Sequence, residues 1–523
     1  MSTRRCLIVG AGSSGLAAVQ QALAAGLDPL CVDANPGVGG AWRYDPNPGT
    51  CDVRFDERGV ATVSSPGESD DRGRPPPSPM YAGLRTNVPT ALMQYRGRPF
   101  PSNIPLFCKH TDVQAYLESF AAPLLPHLRF NTRLVLLRHT LPSDADPSRR
   151  WYAELRSTLD PDAPVQTEQF DAVIVANGHY SKPYIPYTDG LSSFTGEILH
   201  SRWYRDAEAL KNKTVLVIGN SASGYDITRE LASSIWDRRQ SGETTVPKIY
   251  QAARSPPALG IPFDSPDAPE YGKEVGLYPP IKRVEGKTVE FENGKTVDDV
   301  EVIMFATGYF FSFPFLPPTA APFSSFPLTY APPLPHAAPG SSETVSTTTP
   351  APRGEPSRHG GLRVHNLDDR GLFYLPDPTL AFLGLPYLVI PFPLAQLQAR
   401  LATLHFASSP RLPSPLIFTP DPLMRRDPSL PAGPGNEDDS APETRASVVW
   451  GHPRQYDMHD RWLRECGDVR DGDGDGNGEG EGEGEEREKG GLTGERSIWG
   501  LTSEAERDLR KGAKGLRKAV LGY

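Results

Sequence analysis

The sequence predicts an α/β protein, and three observations lead to that prediction. A short apolar run at residues 6–9 opens a glycine-rich loop, and a similar run at residues 215–218 opens a second loop about two hundred residues later. A segment with helical periodicity follows each loop, and another short apolar run follows each helix. Strands that alternate with helices are typical of parallel sheets covered by helices. A chain of 523 residues is long enough for two such units, or for one unit inserted into another.

The first unit has every part of a Rossmann-type βαβ element. We predict a strand at residues 5–9, a helix at 14–25 and a second strand at 29–33. The loop GAGSSG at 10–15 has its three glycines where one makes a tight turn, one lets a pyrophosphate approach and one packs the helix on the strand. Asp33 ends the second strand, where a carboxylate binds a ribose hydroxyl. This unit therefore predicts a dinucleotide site.

The second unit repeats this order with an imperfect loop. A strand leads into GNSASG at residues 219–224, and a helix is predicted from about 223 to 234. Ser221 stands where the middle glycine belongs, and its Cβ would crowd a pyrophosphate. By itself this loop predicts a nucleotide site only weakly. Ser223 and Asp226, at the start of the helix, either cap it or bind the nucleotide.

The strand after this helix, predicted at residues 248–251, ends without an acidic residue, and Arg254 follows it. A missing acid with an arginine nearby favours a cofactor with a 2′-phosphate, hence NADPH over NADH, because a guanidinium pairs well with phosphate. A solvated surface arginine is the alternative interpretation of Arg254.

Charge and composition exclude several classes of partner. The net charge is −10, but ten acidic and three basic residues lie between Asp468 and Lys489, so the rest of the chain is nearly neutral. We therefore predict no nucleic-acid partner. The five cysteines are dispersed without a C-x-x-C pair, which favours a reducing compartment and argues against a redox disulfide. We also predict no metal site.

Segment composition indicates a soluble, cytoplasmic protein with unstructured parts. No run of 18 apolar residues is present, so no transmembrane helix or membrane anchor is expected. Proline-rich stretches at 64–79, 317–360 and 408–445 predict surface inserts, and the acidic stretch 471–491 predicts disorder. Residues 503–521 have a helical charge pattern to which the sequence gives no role.

The segment FTGEILHSRWY at residues 194–204 has the pattern F-x-G-x-x-x-H-x-x-x-Y. It resembles the signature of the flavin-containing monooxygenases, and it lacks the W-P ending of the Baeyer–Villiger version. Four further stretches resemble the same family, in the same order along the chain. They are residues 80–89 (MYAGLRTNVP), 176–180 (ANGHY), 306–309 (ATGY) and 378–384 (PTLAFLG). The resemblance covers roughly residues 5–465 and is closest to fungal members.

This resemblance implies an FAD domain with an inserted NADPH domain. NADPH would reduce the flavin, which would react with O2 to give a C4a-hydroperoxide and pass oxygen to an amine nitrogen or a sulfur of a small molecule. The segment GGAW at residues 39–42 resembles a second flavin contact of flavoproteins with two dinucleotide-binding domains. The cofactor-binding residues predicted in the first part of the chain are Gly10, Ala11, Gly12, Ser13, Ser14, Gly15, Asp33, Gly40, Ala41, Trp42, Thr86, Asn87 and Val88. Those predicted for NADPH are Gly219, Ser221, Ser223, Gly224, Tyr225, Asp226 and Arg254.

Asn87 is the predicted catalytic residue. In the family the matching Thr-Asn pair lies beside the flavin and the nicotinamide, and an amide both donates and accepts hydrogen bonds. Those properties suit a side chain that holds the hydroperoxide and the retained NADP+. A turn asparagine before Val88 and Pro89 is the alternative, and Thr86 is a further candidate. His200 is predicted to order a linker between the domains rather than to transfer a proton.

These observations divide the chain into four parts and leave two alternatives open. The predicted parts are an N-terminal FAD-domain segment (1–190), an NADPH domain (191–320), a return to the FAD domain (321–465) and an acidic tail with a charged C-terminal segment (466–523). A Baeyer–Villiger-type ketone oxygenase is the enzymatic alternative. A non-catalytic nucleotide-binding protein is the other, motivated by Ser221 and by the long inserts. Substrate identity and oligomeric state are not predicted.

Overall fold

A computed structural model describes residues 3–64, 77–160, 162–257, 260–332, 355–357, 360–421, 449–469 and 498–523. The proline-rich inserts and the acidic stretch predicted from the sequence lie in large part outside these residues. Among the helices that the structure describes, none combines the length and the apolar composition that a membrane span requires.

A five-stranded parallel sheet forms the centre of the first unit. Its order is β20-β9-β1-β2-β5, and every neighbouring pair is parallel. The central strands are apolar and buried on both faces, as is typical of parallel sheets covered by helices. The strands are β1 (Arg5–Val9), β2 (Asp28–Val32), β5 (Leu128–Arg129), β9 (Ala172–Val175) and β20 (Leu380–Phe382).

Helices cover this sheet, and the apolar side chains between helices and sheet form the hydrophobic core of the first unit. Helix α1 crosses from β1 to β2 and packs on α5, whose residues are nearly all buried. The predicted helix at 14–25 is confirmed within one residue at each end. The helices of this unit are α1 (Ser13–Ala24), α2 (Thr90–Met93), α3 (His110–Ala121), α5 (Pro391–Phe406) and α6 (Gly451–Glu465).

The second unit has its own five-stranded parallel sheet, in the order β11-β18-β12-β13-β14. Helix α4 (Ala222–Gln240) connects β12 to β13, so the second βαβ element is also present. The strands are β11 (Glu197–His200), β12 (Val215–Ile218), β13 (Ile249–Ala252), β14 (Val275–Tyr278) and β18 (Val302–Phe305).

The chain path shows that the second sheet is inserted into the first unit. All strands of the second sheet lie in sequence between β9 and β20, which are neighbours in the first sheet. The chain leaves through β10 (Lys182–Pro183) and returns through β19 (Tyr309–Phe310), and these two strands pair antiparallel. The predicted α/β fold with two Rossmann-like units, one inserted in the other, is confirmed. The exact domain boundaries stay a prediction.

Smaller antiparallel sheets complete the molecule. One three-stranded sheet precedes β9 in the first unit, and another follows β14 in the second. Their strands, with those of a two-stranded ribbon, are β3 (Asp52–Phe55), β4 (Ala61–Ser64), β6 (Thr132–His139), β7 (Trp151–Ser157), β8 (Gln166–Phe170), β15 (Ile281–Glu285), β16 (Thr288–Phe291) and β17 (Thr296–Val297).

A final helix, α7 (Glu504–Leu521), forms in the charged segment whose role the sequence does not predict. Its first turn is closed by a capping box, because Ser503 Oγ accepts from the Glu506 N–H and the Glu506 carboxylate accepts from the Ser503 N–H. Trp499, just before the helix, is buried in the hydrophobic core of the first unit. This segment is therefore a packed part of the fold.

Candidate active site

Both glycine loops open on one cleft of about 1860 Å³. The carboxyl ends of β1, β9, β12 and β18 all point to it, which is where open α/β sheets bind their ligands. Asn87 lies on the wall of the same cleft. The predicted site residues that line it are Gly10, Gly12, Ser13, Ser14, Asp33, Gly40, Ala41, Trp42, Thr86, Asn87, Val88, Gly219, Ser221, Ser223, Tyr225 and Asp226.

The first loop is a cradle of bare backbone. Gly10 has φ +104°, and a Cβ built there would lie 2.5 Å from the Ala176 carbonyl oxygen, so only glycine fits without strain. A Cβ on Gly15 would lie 1.7 Å from the Gly10 carbonyl oxygen, which explains why α1 needs glycine at this turn. Gly12 faces Gly40 across the cleft wall, with a built Cβ 3.5 Å from the Gly40 Cα. These glycines leave the space that a dinucleotide pyrophosphate needs.

Asp33 holds this loop in shape. One oxygen accepts from the Ala11 N–H at 2.6 Å, and the other accepts from the backbone and side-chain N–H groups of Asn35. Burial raises the pKa of Asp33, and the Ala11 and Asn35 donors oppose that shift. A carboxylate has about four acceptor sites, so Asp33 can also accept from a ribose hydroxyl. The side chain lies at the cleft, where the sequence predicted it.

The GGAW segment passes close to the first loop. Gly39 and Gly40 both have positive φ, at +117° and +55°, and the Gly39 N–H donates to the Ala11 carbonyl. Gly40–Trp42 then form a short 3-10 turn whose tryptophan ring meets the edge of Phe392 at 6.3 Å between centroids. The segment thus forms the second side of the cradle.

The second loop has the same backbone outline. Gly219 has φ +101°, and a Cβ on Gly224 would lie 2.2 Å from the Gly219 carbonyl oxygen. Ser221 occupies the N-cap position of α4, where its side chain makes no capping hydrogen bond. The loop is therefore compatible with a nucleotide at the helix N-terminus.

Two residues predicted to bind the nucleotide are partly engaged by the protein. The Tyr225 ring stacks on Phe263, and its hydroxyl accepts from the Ile261 N–H at 3.1 Å. Asp226 is buried and accepts from the Tyr81 hydroxyl at 2.6 Å. Burial and the charge of Asp226 raise the pKa of Tyr81 well above its ordinary value, so this phenol remains a donor.

Four predicted residues do not line the cleft: Ala11, Gly15, Gly224 and Arg254. The first three stabilise the loops on the side away from the cleft. Ala11 does so through its hydrogen bond to Asp33, and Gly15 and Gly224 through their close approach to the Gly10 and Gly219 carbonyls. Arg254 is exposed and follows β13 on a surface turn. Its predicted role toward a 2′-phosphate stays a prediction.

The F-x-G-x-x-x-H-x-x-x-Y segment makes structural contacts within the second unit. His200 is fully buried, its Nε2 lies 3.0 Å from the Gly308 carbonyl oxygen, and its Nδ1 accepts from the Arg202 N–H at 3.2 Å. Tyr204 donates to Glu230 of α4 at 2.6 Å. His200 is not among the residues that line the cleft, and its predicted role in ordering a linker stays a prediction.

Two residues that no sequence pattern predicts contact the first turns of α4, beside the second loop. Tyr81 stands 145 positions before Asp226, and Arg517 of α7 stands 291 positions after it. Both line the cleft, and both contact the Asp226 carboxylate. Tyr81 belongs to a stretch that the sequence singled out, whereas Arg517 has no local signal beyond the helical pattern around it.

Comparison with known proteins agrees with the family that the sequence motifs resemble. Residues 67–240 and 266–322 match the family model described as flavin-binding monooxygenase-like. Residues 8–72 match the model of an NAD(P)-binding Rossmann-like domain. The structure of S-allyl-L-cysteine S-oxygenase from Allium sativum is similar with a TM-score of 0.65 and 23% identity, covering 99% of this chain and 94% of that one. The two proteins therefore share a fold.

Two sequence relatives bear on the family. Flavin-containing monooxygenase FMO GS-OX-like 4 of Arabidopsis thaliana is 30% identical over 404 residues, covering 75% of this chain and 74% of the relative. Senecionine N-oxygenase of Tyria jacobaeae is 29% identical over 317 residues, covering 60% of each chain. These matches support an enzyme and argue against the non-catalytic alternative. The chain belongs to the flavin-containing monooxygenases and is an FAD-dependent monooxygenase that takes NADPH as its second cofactor.

Proposed function

We propose that this enzyme uses NADPH and O2 to oxygenate a nitrogen or sulfur atom of a small molecule through a flavin C4a-hydroperoxide. One observation carries the proposal: both glycine loops and Asn87 line a single cleft. Two nucleotides held in one cleft can bring a nicotinamide and a flavin together. A plain binding protein has no need for that arrangement.

The bound flavin supplies the redox and oxygen chemistry, and the protein supplies position and shielding. The first loop, Asp33 and the GGAW segment would hold the FAD pyrophosphate and ribose. The second loop would hold the pyrophosphate of NADPH at the start of α4. The residues present fit both groups, because bare glycine backbone faces the cleft at Gly10, Gly12 and Gly219.

Asn87 is our candidate for the side chain beside the reacting atoms. It is partly buried on the cleft wall, directly after Thr86, whose N–H donates to the Cys108 carbonyl at 2.9 Å. Val88, on its other side, is packed in the core of the first unit. Asn87 therefore extends from a fixed backbone, as a positioning amide requires.

The segment that carries Asn87 is also tied to the second unit. The Ala82 N–H donates to the Arg205 carbonyl at 2.8 Å, and Tyr81 donates to Asp226. A Cβ on Gly83 would lie 2.1 Å from a Glu230 carboxylate oxygen, so the backbone passes close against α4. These contacts would fix the distance between Asn87 and a nucleotide bound at the second loop.

An apolar rim marks the candidate substrate side of the cleft. Leu388 has φ +59°, a conformation that a leucine rarely adopts, and its side chain is 43% exposed at the cleft. Val449 lines the same rim and is 41% exposed. Apolar side chains held against solvent at a cleft favour a substrate with apolar groups around its nucleophile.

The names of similar proteins support nitrogen or sulfur as the oxygenated atom. One relative is named as an N-oxygenase, and the structural neighbour is described as an S-oxygenase. Both reactions transfer one oxygen atom to a soft nucleophile, so one reactive flavin serves either. A ketone oxygenase is disfavoured because the segment after His200 reads SRWY and lacks the W-P ending.

The test is a panel of tertiary amines, thiols and thioethers incubated with FAD-loaded enzyme, NADPH and isotopically labelled O2. We expect at least one substrate to raise NADPH consumption and to carry one labelled oxygen on nitrogen or sulfur. A set of cyclic ketones is the matched control. Labelled esters from the ketones, with no labelled amine or sulfur product, would contradict the proposal.

A further inference from the structure

We propose that Arg517 of α7 binds the pyrophosphate of NADPH, so that α7 completes the second nucleotide site. Arg517 is 5% exposed and lines the cleft together with Ser221 and Ser223 of the second loop. The proposal rests on NADPH binding and not on which atom of a substrate is oxygenated.

The start of α7 is fixed to the first unit. Arg507 pairs with Asp460 at 2.5 Å, and the Thr502 N–H donates to the same carboxylate at 2.7 Å. Arg96 donates to the Gly500 carbonyl at 2.6 Å, and the Arg400 guanidinium lies over the Trp499 ring. These contacts anchor the N-terminal end of α7 and set the direction of its axis. The position of Arg517, near the other end of the helix, depends on that direction.

The end of α7 lies on the second unit. Arg517 Nη2 is 3.5 Å from an Asp226 oxygen, and Lys518 pairs with Asp267 at 3.1 Å. The Tyr523 ring lies under the Arg229 guanidinium at 4.0 Å. Helix α7 therefore spans the two units, with Arg517 at the point where it passes the cleft.

The guanidinium of Arg517 has hydrogen-bonding capacity that the protein does not use. Its Nη2 makes one long contact to Asp226, and within the described parts of the chain its buried Nε has no hydrogen-bond partner. The other Asp226 oxygen already accepts from Tyr81. Leaving a buried N–H of a charged group unsatisfied costs free energy, and a phosphate oxygen is the acceptor that a guanidinium matches best.

The position of Arg517 favours an interaction with the pyrophosphate of NADPH over one with its 2′-phosphate. In a Rossmann unit the pyrophosphate lies at the helix N-terminus, and the 2′-phosphate lies beyond the next strand. Asp226, which Arg517 contacts, is near the start of α4, whereas Arg254 follows the end of β13. An extra donor at the pyrophosphate also suits a loop in which Ser221 replaces the open glycine.

The experiment titrates NADP+ and NAD+ separately into full-length, FAD-loaded enzyme by calorimetry. Arg517→Met is expected to weaken both ligands by about tenfold or more, because both contain the pyrophosphate. The matched control is Lys514→Met, which removes an exposed positive charge from the same helix and should change neither affinity. Arg254→Ala serves as the opposite reference, since it should weaken NADP+ alone.

Two outcomes would overturn the proposal directly. Unchanged affinity for both ligands in Arg517→Met would show that the guanidinium does not touch the nucleotide. A loss confined to NADP+ would place Arg517 at the 2′-phosphate instead. Neither result depends on turnover, so both are distinguishable from failure of the proposed oxygenation.

Two further variants separate binding from structural support. If Arg517 serves only to neutralise Asp226, the double variant Arg517→Met, Asp226→Asn would regain the parental affinities, which would contradict the proposal. We expect the loss to persist. Should Arg517→Met lose FAD or unfold early, Arg517→Lys keeps the charge but not the planar donor fork, and it should still weaken both ligands, with normal FAD content. Parental affinities in that variant would also count against the proposal.

Discussion

The two glycine loops differ in how much of each site lies within the loop's own βαβ unit. At the first loop, Gly12 faces the bare backbone of Gly40, and Asp33 from the next strand fixes the Ala11 N–H. At the second loop, a serine stands at the middle position and no acid follows β13. Distant side chains contact its helix instead, from Tyr81 in the first unit and from Arg517 in α7.

This difference shows that one motif can be completed in two ways. The first loop keeps its shape mainly through contacts that are near in sequence, although the Tyr95 hydroxyl also donates to the Ser13 carbonyl at 2.6 Å. A loop completed by other segments depends on how the two units pack together. The second arrangement also links nucleotide binding to the position of Asn87, because Tyr81 lies only six residues earlier in the same segment.

The largest effects should come from Gly15→Ala and Gly224→Ala. The added Cβ would lie 1.7 Å and 2.2 Å from the carbonyl oxygens of Gly10 and Gly219, so each loop must deform. We expect Gly15→Ala to lose FAD and most of its soluble yield, and Gly224→Ala to stay yellow but resist reduction by NADPH. Flavin absorbance per protein and anaerobic reduction rates measure these outcomes. Equal loss of FAD in both variants would show that the two loops are not independent.

Asn87→Ser should keep both cofactors and lose coupling. A shorter side chain cannot span the same hydrogen bonds beside the flavin, so most of the NADPH consumed should appear as hydrogen peroxide. Peroxide and product yields per NADPH are the measurements. An unchanged product yield would contradict the placement of Asn87 at the reacting atoms. Asn293→Ser, at an exposed turn that does not line the cleft, is the control for an asparagine change in itself.

Exchanging the middle positions of the loops should give a smaller and unequal effect. Gly12→Ser has room in the protein, because its Cβ meets the Gly40 Cα at 3.5 Å, but it intrudes on the pyrophosphate. We expect FAD affinity to fall by about tenfold or more, which corresponds to about 1.4 kcal/mol. Ser221→Gly should change NADP+ affinity only slightly, since other segments complete that site. Equal effects of the two changes would contradict the comparison between the loops.

Tyr81→Phe should act mainly on stability, with only a small effect on nucleotide binding. It removes the donor to the buried Asp226 carboxylate at a cost of about 1–3 kcal/mol, which should lower the melting temperature by about 1–3 °C in a chain of this length. Thermal unfolding measures the change, and Tyr187→Phe at an exposed position is the control. NADP+ affinity should fall with Tyr81→Phe and stay constant in the control. An equal melting temperature in the two variants would show that Tyr81 does not stabilise the second nucleotide site.

Local patterns in the sequence predict one half of this site better than the other. The strand, glycine loop, helix and Asp33 stand within 30 residues, so spacing alone places them together. The spacing of apolar residues also predicts β13, but it does not predict that the Arg254 side chain is exposed to solvent. Arg517 and Asp226 are 291 positions apart, and only the packing of α7 across the two units brings them together. No periodicity or motif contains that information.

Rapid mixing of the enzyme with O2, after anaerobic reduction by NADPH, tests the central claim most directly. If two nucleotides share the cleft as described, the absorbance of a flavin C4a-hydroperoxide should persist while NADP+ is bound and should decay quickly on addition of a substrate amine or thioether. Reoxidation in a single fast phase, with a full yield of hydrogen peroxide and no effect of NADP+, would contradict the account.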